Sequence, residues 1–382
     1  MKFDFDEDQQ FIRNDARRFL ADRCSMEDVR QHLSSDPRVI SPLWWEISEL
    51  GWPGAAIPEA YGGLGMGYLE LCVLAEELGR VVAPIPFSSS IYLAAEAILQ
   101  YGSEEQKQQY LPRLVSGEIV GTLAWSDCDE KAVVLEGGTI TGVKRPVAGG
   151  TLADIAVVSA ATSKDKHVLV LVELTEIAAA SNKRVKRETL SSVDPSVRNA
   201  QLTFDDCPAQ LLGSGGDGRG GLRALLDRAA VLLAFEQLGG ADRCLELAVD
   251  YVKERKTFGR AVGSYQAVKH KLAKMYAQNE LARSNAYYGA WALASESEEL
   301  PLAASAARIS ATECFEFAAR EGLHLHGGMG YTWEVDCHLY LKRSRDLALR
   351  LGDLRQWREK LIGATLAVTD SPAAAPTWLA NS

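Results

Sequence analysis

The chain has no apolar run of about 18 residues, the length a bilayer-spanning helix needs, so no membrane-spanning segment is expected. Its first residues, MKFDFDEDQQF, are acidic where a signal peptide would be basic and then apolar, and a soluble, cytoplasmic protein is expected. An excess of positive charge is missing as well. The 51 acidic against 41 basic residues give a net charge of -10, which repels phosphate backbones and anionic membranes and argues against nucleic acid or a membrane as partner. The seven cysteines are scattered, odd in number and never spaced as CxxC, so they read as reduced thiols in ordinary packing positions. His324 and His326, two apart, project from different sides of a helix with no Cys or acidic cluster to complete a shell, and no metal site is expected.

What is present is length and apolar content. With 382 residues and 47% hydrophobic residues the chain can build two or three cores, because single cores stop growing well before that length. After Phe11, Phe19 and Leu20 follow Ala16 at three- and four-residue spacings, and the chain from Leu43 to Leu50 repeats that habit, which predicts an N-terminal helical domain over 1–118. Turn chemistry punctuates it, and Ser103 is placed to cap the helix that holds Gln106. Short β-branched runs such as Ile155-Ala156-Val157-Val158 and His167-Val168-Leu169-Val170-Leu171-Val172 follow. They predict a small middle β domain over 119–216, antiparallel because no helix-length segments separate the strands. After the glycine-rich stretch Gly213 to Gly221, long helical patterns predict a four-helix-bundle-like C-terminal domain over 217–366, and the Ala/Pro/Ser-rich tail 367–382 reads as disordered. The fold class expected is α+β, mainly α, in the order helical, β, helical.

Several motifs lie on this layout: Leu50-Gly51-Trp52; Pro58-Glu59-Ala60-Tyr61-Gly62-Gly63-Leu64-Gly65; Gly102-Ser103-Glu104-Glu105-Gln106-Lys107; Arg255-Lys256-Thr257-Phe258-Gly259; and His326-Gly327-Gly328-Met329-Gly330-Tyr331. Taken alone, Arg255 is a helix-end charge and Gly327-Gly328 a helix terminator. Together and in order, they make the chain resemble the acyl-CoA dehydrogenase family from Phe11 to about Leu361. The resemblance implies FAD as cofactor, an acyl-CoA thioester as substrate, an electron-accepting flavoprotein or other acceptor as partner, and a homotetramer or α2β2 heterotetramer in which neighbouring subunits share the flavin. It further implies that Arg255, Phe258 and Gln266 reach the pyrophosphate and adenine side of a neighbour's flavin, and that His324, Gly327 and Gly328 form the segment where the backbone approaches it. The chemistry suits those roles: a guanidinium offers paired donors to phosphate oxygens, and glycines let main-chain amides come close without a Cβ.

On the side of the flavin ring the sequence departs from the family. Where the family has a Thr-Glu-Pro loop followed by a Gly-Ser-Asp group, this chain has Ser126-Asp127-Cys128-Asp129-Glu130-Lys131, in which Ser126 retains a hydroxyl for the flavin. Where a Trp-Ile-Thr group covers the ring, it has Pro146-Val147-Ala148. The reaction needs a carboxylate to take the acidic α-proton, yet the two places where the family puts that base fall at about Leu351 and at Ala229. Glu236 is the carboxylate that can replace them. It lies two turns beyond Ala229 on nearly the same helix face, in an apolar run that would desolvate it, as suits a general base. The adjacent Gly239-Gly240 pair, unfavourable in mid-helix, implies that something packs closely there. Asp353, two positions from the other place, is a weaker candidate.

Two main readings follow, beside an acyl-CoA oxidase or another flavin chemistry on the same fold. One is an FAD-dependent dehydrogenase that converts an acyl-CoA to its 2,3-enoyl form with Glu236 as base. The other is a cofactor-sharing, non-catalytic partner, similar to the degenerate chains of hetero-oligomeric dehydrogenases for bulky steroid or side-chain acyl-CoAs.

Overall fold

Local chemistry sets the helix boundaries in the N-terminal third of the computed structural model. Helices α2 (Met26–Ser34) and α6 (Glu104–Val115) both begin in capping boxes, Ser25 with Asp28 and Ser103 with Gln106, the second being the cap expected from the sequence. Helix α3 (Pro42–Glu49) starts on a proline, whose missing N–H has no intrahelical partner at that position anyway. Helices α1 (Glu7–Arg23) and α4 (Tyr68–Arg80) are the longer ones. A buried π-helix, Ser88–Ala95, runs directly into α5 (Glu96–Tyr101). The structure describes residues 5–128, 131–162, 166–174 and 184–369. They divide into two units, one formed by Phe11–Leu74 with Val81–Ala229, the other by the residues up to Gln10, Ala75–Arg80 and the chain from Ala230.

The first unit joins the N-terminal helices to a β-sheet. Its strands are β1 (Gly121–Ala124), β2 (Val134–Glu136), β3 (Thr139–Val147), β4 (Ile155–Thr162), β5 (His167–Glu173), β6 (Val185–Thr189), β7 (Ala200–Pro208) and β8 (Gln210–Leu211), in the order β6-β7-β3-β2-β4-β5-β8 with β1 also on β4. The expected antiparallel pairing holds for β2–β3, β3–β7, β4–β5, β5–β8 and β6–β7. It fails at β4, which pairs in parallel with both β1 and β2. The β2–β3 hairpin explains the difference: it carries the chain from β1 to β4, so a parallel neighbour is reached without a helical crossover. Val158, Val170, Leu202 and Phe204 form part of the apolar centre of this sheet. Gln106 on α6 fastens the helices to the strands, donating to the Leu211 carbonyl at 2.9 Å and accepting from Gly213 N–H at 2.9 Å.

The second unit is helical: the later part of α7 (Gly218–Glu254), then α8 (Gln266–Ala294), α9 (Leu300–Leu325), α10 (Cys337–Leu349) and α11 (Leu354–Thr369). The mid-helix glycine pair has the close neighbours its position implied. A Cβ on Gly239 would lie 1.8 Å from the Glu76 carbonyl oxygen, and one on Gly79 would lie 1.9 Å from that of Glu236, so α4 and α7 cross with their backbones in contact. Gly240 faces the Phe315 ring of α9 in the same way. A polar network lies beside this crossing: Arg283 pairs with Glu76 at 2.9 Å and with Asp242, which accepts from Asn279 at 2.8 Å. Among the described residues no helix is long and apolar enough to cross a membrane. The tail expected to be disordered lies outside the described residues from position 370 on.

Candidate functional site

Helix α7 ends at Glu254, and Arg255 opens a tight hairpin of β9 (Lys256–Thr257) and β10 (Arg260–Ala261). Its two turn residues, Phe258 and Gly259, both have positive φ, 48° and 78°, which is the pattern of a type I′ turn. Glycine tolerates that conformation, whereas phenylalanine is strained in it by roughly 1–2 kcal/mol. The strained ring is also 97% exposed. The Tyr265 hydroxyl donates to the Thr257 carbonyl at 3.1 Å, and the Arg260 guanidinium lies 3.9 Å over the Tyr265 ring, so the hairpin is braced from below. Arg255 is exposed, and its guanidinium forms no ion pair among the described residues.

Gln266 is the first residue of α8 and is exposed. His324, in the last turn of α9, is exposed and hydrogen-bonded to Lys271 of α8 at 2.9 Å, while Lys271 also pairs with Glu321 at 2.6 Å. Gly327, at φ 60°, turns the chain out of α9 into a 3-10 turn, Gly327–Tyr331. A Cβ on either Gly327 or Gly328 would meet no atom within 4 Å, which leaves both backbones open to an incoming group. Buried His326 connects these segments. Its ring stacks on Tyr251, one turn before Arg255, with centroids 4.3 Å apart, and its Nδ1 bonds the Gly322 carbonyl at 2.7 Å. The structure therefore ties together the end of α7, the start of α8 and the end of α9. An unpaired guanidinium, an amide, an aromatic ring and two bare backbone glycines on that edge suit a nucleotide diphosphate.

The loop expected to face the flavin ring is held from inside the first unit. The Ser126 carbonyl accepts from Arg145 N–H at 3.1 Å. Lys144 on β3 is almost fully buried, and its Nζ donates to the Trp125 carbonyl at 3.3 Å and to Asp127 Oδ1 at 2.5 Å. Burial pushes the Lys144 ammonium down, opposed by the Asp127 carboxylate. Asp129 and Glu130 lie outside the described residues. Further along, Thr122 donates to the Ala148 carbonyl at 2.7 Å, and a Cβ on Gly149 would lie 2.4 Å from Ser89 Oγ, so this end of β3 packs onto the π-helix.

Glu236 on α7 is 6% exposed, but its surroundings are not wholly apolar as the sequence implied: Arg343 on α10 is also buried and brings Nη1 to 3.3 Å from Glu236 Oε1. The charge is paired instead of isolated. Its other oxygen, Oε2, accepts no hydrogen bond among the described residues. Ala229 and Leu351 are both buried, and Asp353 caps α11 by accepting from Gln356 N–H at 2.9 Å. Arg343 was missed because Lys342-Arg343-Ser344-Arg345 reads as a solvated charge run. Its place among Leu339, Tyr340 and Leu347 on one face of α10 was the available signal.

The chain matches the family models for the acyl-CoA dehydrogenase N-terminal domain over residues 6–118 and C-terminal domain over 216–352. It is 32% identical over 360 residues to acyl-CoA dehydrogenase IpdE2 of Mycobacterium tuberculosis, covering 93% of this chain and 96% of that one. Among solved structures it is similar to the steroid acyl-CoA dehydrogenase Tcur3481–Tcur3483, with 30% identity, a TM-score of 0.85 and coverage of 96% and 99%. It is also similar to the ChsE4–ChsE5 complex of Mycobacterium tuberculosis, with 26% identity, a TM-score of 0.87 and coverage of 97% and 100%. The chain belongs to the acyl-CoA dehydrogenase family of FAD-dependent oxidoreductases.

Proposed function

We propose that this chain is a subunit of a hetero-oligomeric, FAD-dependent acyl-CoA dehydrogenase acting on a steroid-derived acyl-CoA thioester, and that its role is to complete the flavin site of a neighbouring catalytic chain. The carrying observation is Phe258. A ring both strained at its backbone and 97% exposed carries two separate penalties, and both are offset if another chain's cofactor covers it. Arg255 would hold the pyrophosphate, Phe258 and Gln266 the adenine side, and His324, Gly327 and Gly328 the approach of the backbone. When bound, the flavin supplies the acceptor for the hydride leaving the β-carbon, and electrons pass on to an electron-accepting flavoprotein.

The ring side supports the same division of labour. The Lys144–Asp127 pair uses the carboxylate next to Ser126 internally, leaving the Ser126 hydroxyl as a contact for a flavin ring of this chain's own among the described residues of the loop. The similarity to the paired Tcur3481–Tcur3483 and ChsE4–ChsE5 assemblies favours an α2β2 arrangement. Self-sufficient catalysis with Glu236 as general base is the second reading, favoured by the free Oε2 of that buried carboxylate.

Arg255→Ala tests the proposal. In an assembly co-purified with a catalytic dehydrogenase chain, it should strip flavin from the complex while the two chains still co-elute. Full flavin content in that variant would overturn the reading.

A further inference from the structure

Behind His324, the seam between α8 and α9 holds a relay of polar side chains. Lys271 Nζ of α8 donates to Glu321 Oε2 of α9 at 2.6 Å and, one turn further along α9, to His324 Nδ1 at 2.9 Å. An ammonium has donors and no acceptor, so the ring nitrogen it meets must be the one without a proton. His324 is therefore the neutral tautomer that carries its proton on Nε2. Glu321 Oε2 lies 3.7 Å from the same Nδ1, beyond hydrogen-bond reach, and offers no acceptor for the opposite tautomer. Burial pushes the Glu321 carboxyl up, but the bonds from Lys271 and Arg320 outweigh it and hold it below the ordinary carboxylate range, so Lys271 faces a full negative charge.

A fastening role does not account for the bond to His324. The two helices are already tied here by the Lys271–Glu321 pair and by Lys274 of α8, whose Nζ lies 4.9 Å over the Phe317 ring of α9. The His324 side chain is 68% exposed, and holding an open ring in one orientation costs rotamer freedom for little return in stability. What the bond does fix is the direction and identity of a donor three residues before Gly327, where the backbone of Gly327 and Gly328 stands open.

We propose that Lys271, anchored by Glu321, is a positioning residue that locks His324 in its Nε2–H tautomer, so that the ring offers one neutral donor to a diphosphate oxygen of the flavin shared with a neighbouring chain. Arg255 supplies charge to that diphosphate, and His324 supplies direction. The inference rests on the flavin-sharing reading and deepens it by naming two residues that act through His324 without touching the cofactor.

Glutamine is the informative replacement for His324, because its amide N–H donates from a similar reach and has no tautomer to set. FAD titrated into the deflavinated, co-purified assembly and followed by flavin fluorescence reads the affinity. His324→Ala should weaken binding about tenfold, whereas His324→Gln should stay within about twofold of the unmodified assembly. Lys271→Met should weaken it about fivefold to tenfold when His324 is present and should change nothing in the His324→Gln background. Arg320, whose Nε is 3.4 Å from Glu321, remains to pair that carboxylate in the Lys271→Met variant. An ammonium acting through its charge alone, or needed only for folding, costs the same in both backgrounds, and that result would overturn the proposal, as would full affinity in His324→Ala. Nitrogen NMR of the full chain with isotope-labelled histidine supplies a readout free of flavin. The His324 ring, identified by its loss in His324→Gln, should carry its proton on Nε2, and Lys271→Met should let the Nδ1–H form appear; an Nδ1–H ring in the unmodified chain, or an unchanged tautomer in the variant, contradicts the assignment. Should Arg255→Ala leave the affinity for FAD untouched, the flavin-sharing reading itself fails and the proposal falls with it.

Discussion

Glu236 and Arg343 face each other at 3.3 Å inside the C-terminal helices, each nearly excluded from water. Removing one partner of such a pair leaves a buried charge uncompensated, so Arg343→Met should destabilise the protein by about 3–5 kcal/mol. Replacing both, Arg343→Met with Glu236→Gln, should recover most of that loss in urea unfolding. The single variant Glu236→Gln separates the two functional readings as well. If Glu236 is the base, the variant retains flavin in the assembly but no longer lets substrate bleach it. Unchanged bleaching removes Glu236 from the chemistry.

Phe258 holds a conformation that asparagine accepts readily, and Asn-Gly is the preferred dipeptide of a type I′ turn. Phe258→Asn should therefore stabilise the isolated chain by about 1 kcal/mol in thermal or urea unfolding. In the assembly the same change should weaken flavin retention. Opposite signs from one substitution mark a residue kept for its contacts with another molecule; a loss of stability in the isolated chain would count against the strain argument.

The crossing of α4 and α7 tolerates no side chain at its centre. Gly239→Ala puts a methyl group 1.8 Å from the backbone oxygen of Glu76, and the two helices must separate, at a cost of about 3 kcal/mol or more. Gly240→Ala meets the Phe315 ring at 2.4 Å, and a ring can shift where a backbone cannot. Calorimetric melting should rank Gly239→Ala as clearly the more damaging of the two.

Alkaline pH should weaken the fold through its buried thiols. The Cys314 thiol donates to Asn279 Oδ1 at 2.9 Å, and burial pushes it up to about 12. An unfolded cysteine ionises near pH 8.5, so between roughly pH 8.5 and 12 the native state retains a proton that the unfolded state has released. The stability from this group is complete below that window and is lost as pH rises through it, at about 1.4 kcal/mol per pH unit. Cys314→Ala should flatten the decline of stability with pH in that range, and an unchanged slope would show that other groups govern it.

Much of the architecture could be read in the sequence because it rests on local rules. The Ser103–Gln106 cap, the helix-ending Gly327 and the mid-helix Gly239-Gly240 pair each announce themselves by residue type and position. The parallel placement of β1 and β2 on β4 could not, because it depends on which edge a short hairpin finds and not on any periodicity. The site divides along the same line. Arg255, Phe258, Gln266, His324, Gly327 and Gly328 stand in ordered motifs, and the helix ends that carry them are held together by the Tyr251–His326 stack and the Lys271–His324 bond, which no pattern indicates. Arg343 and Lys144 were hidden for a shared reason: a buried charge in an amphipathic segment looks like a surface charge until its partner on a distant element is known.

The division of labour between this chain and a catalytic neighbour is tested most directly by the ratio of bound flavin to protein, read from the visible spectrum, in the full chain purified alone and in the same chain co-expressed with a catalytic acyl-CoA dehydrogenase chain. The account predicts colourless protein alone and a yellow complex, with flavin matching the number of catalytic chains. One tightly bound flavin for every copy of the chain purified by itself would contradict it.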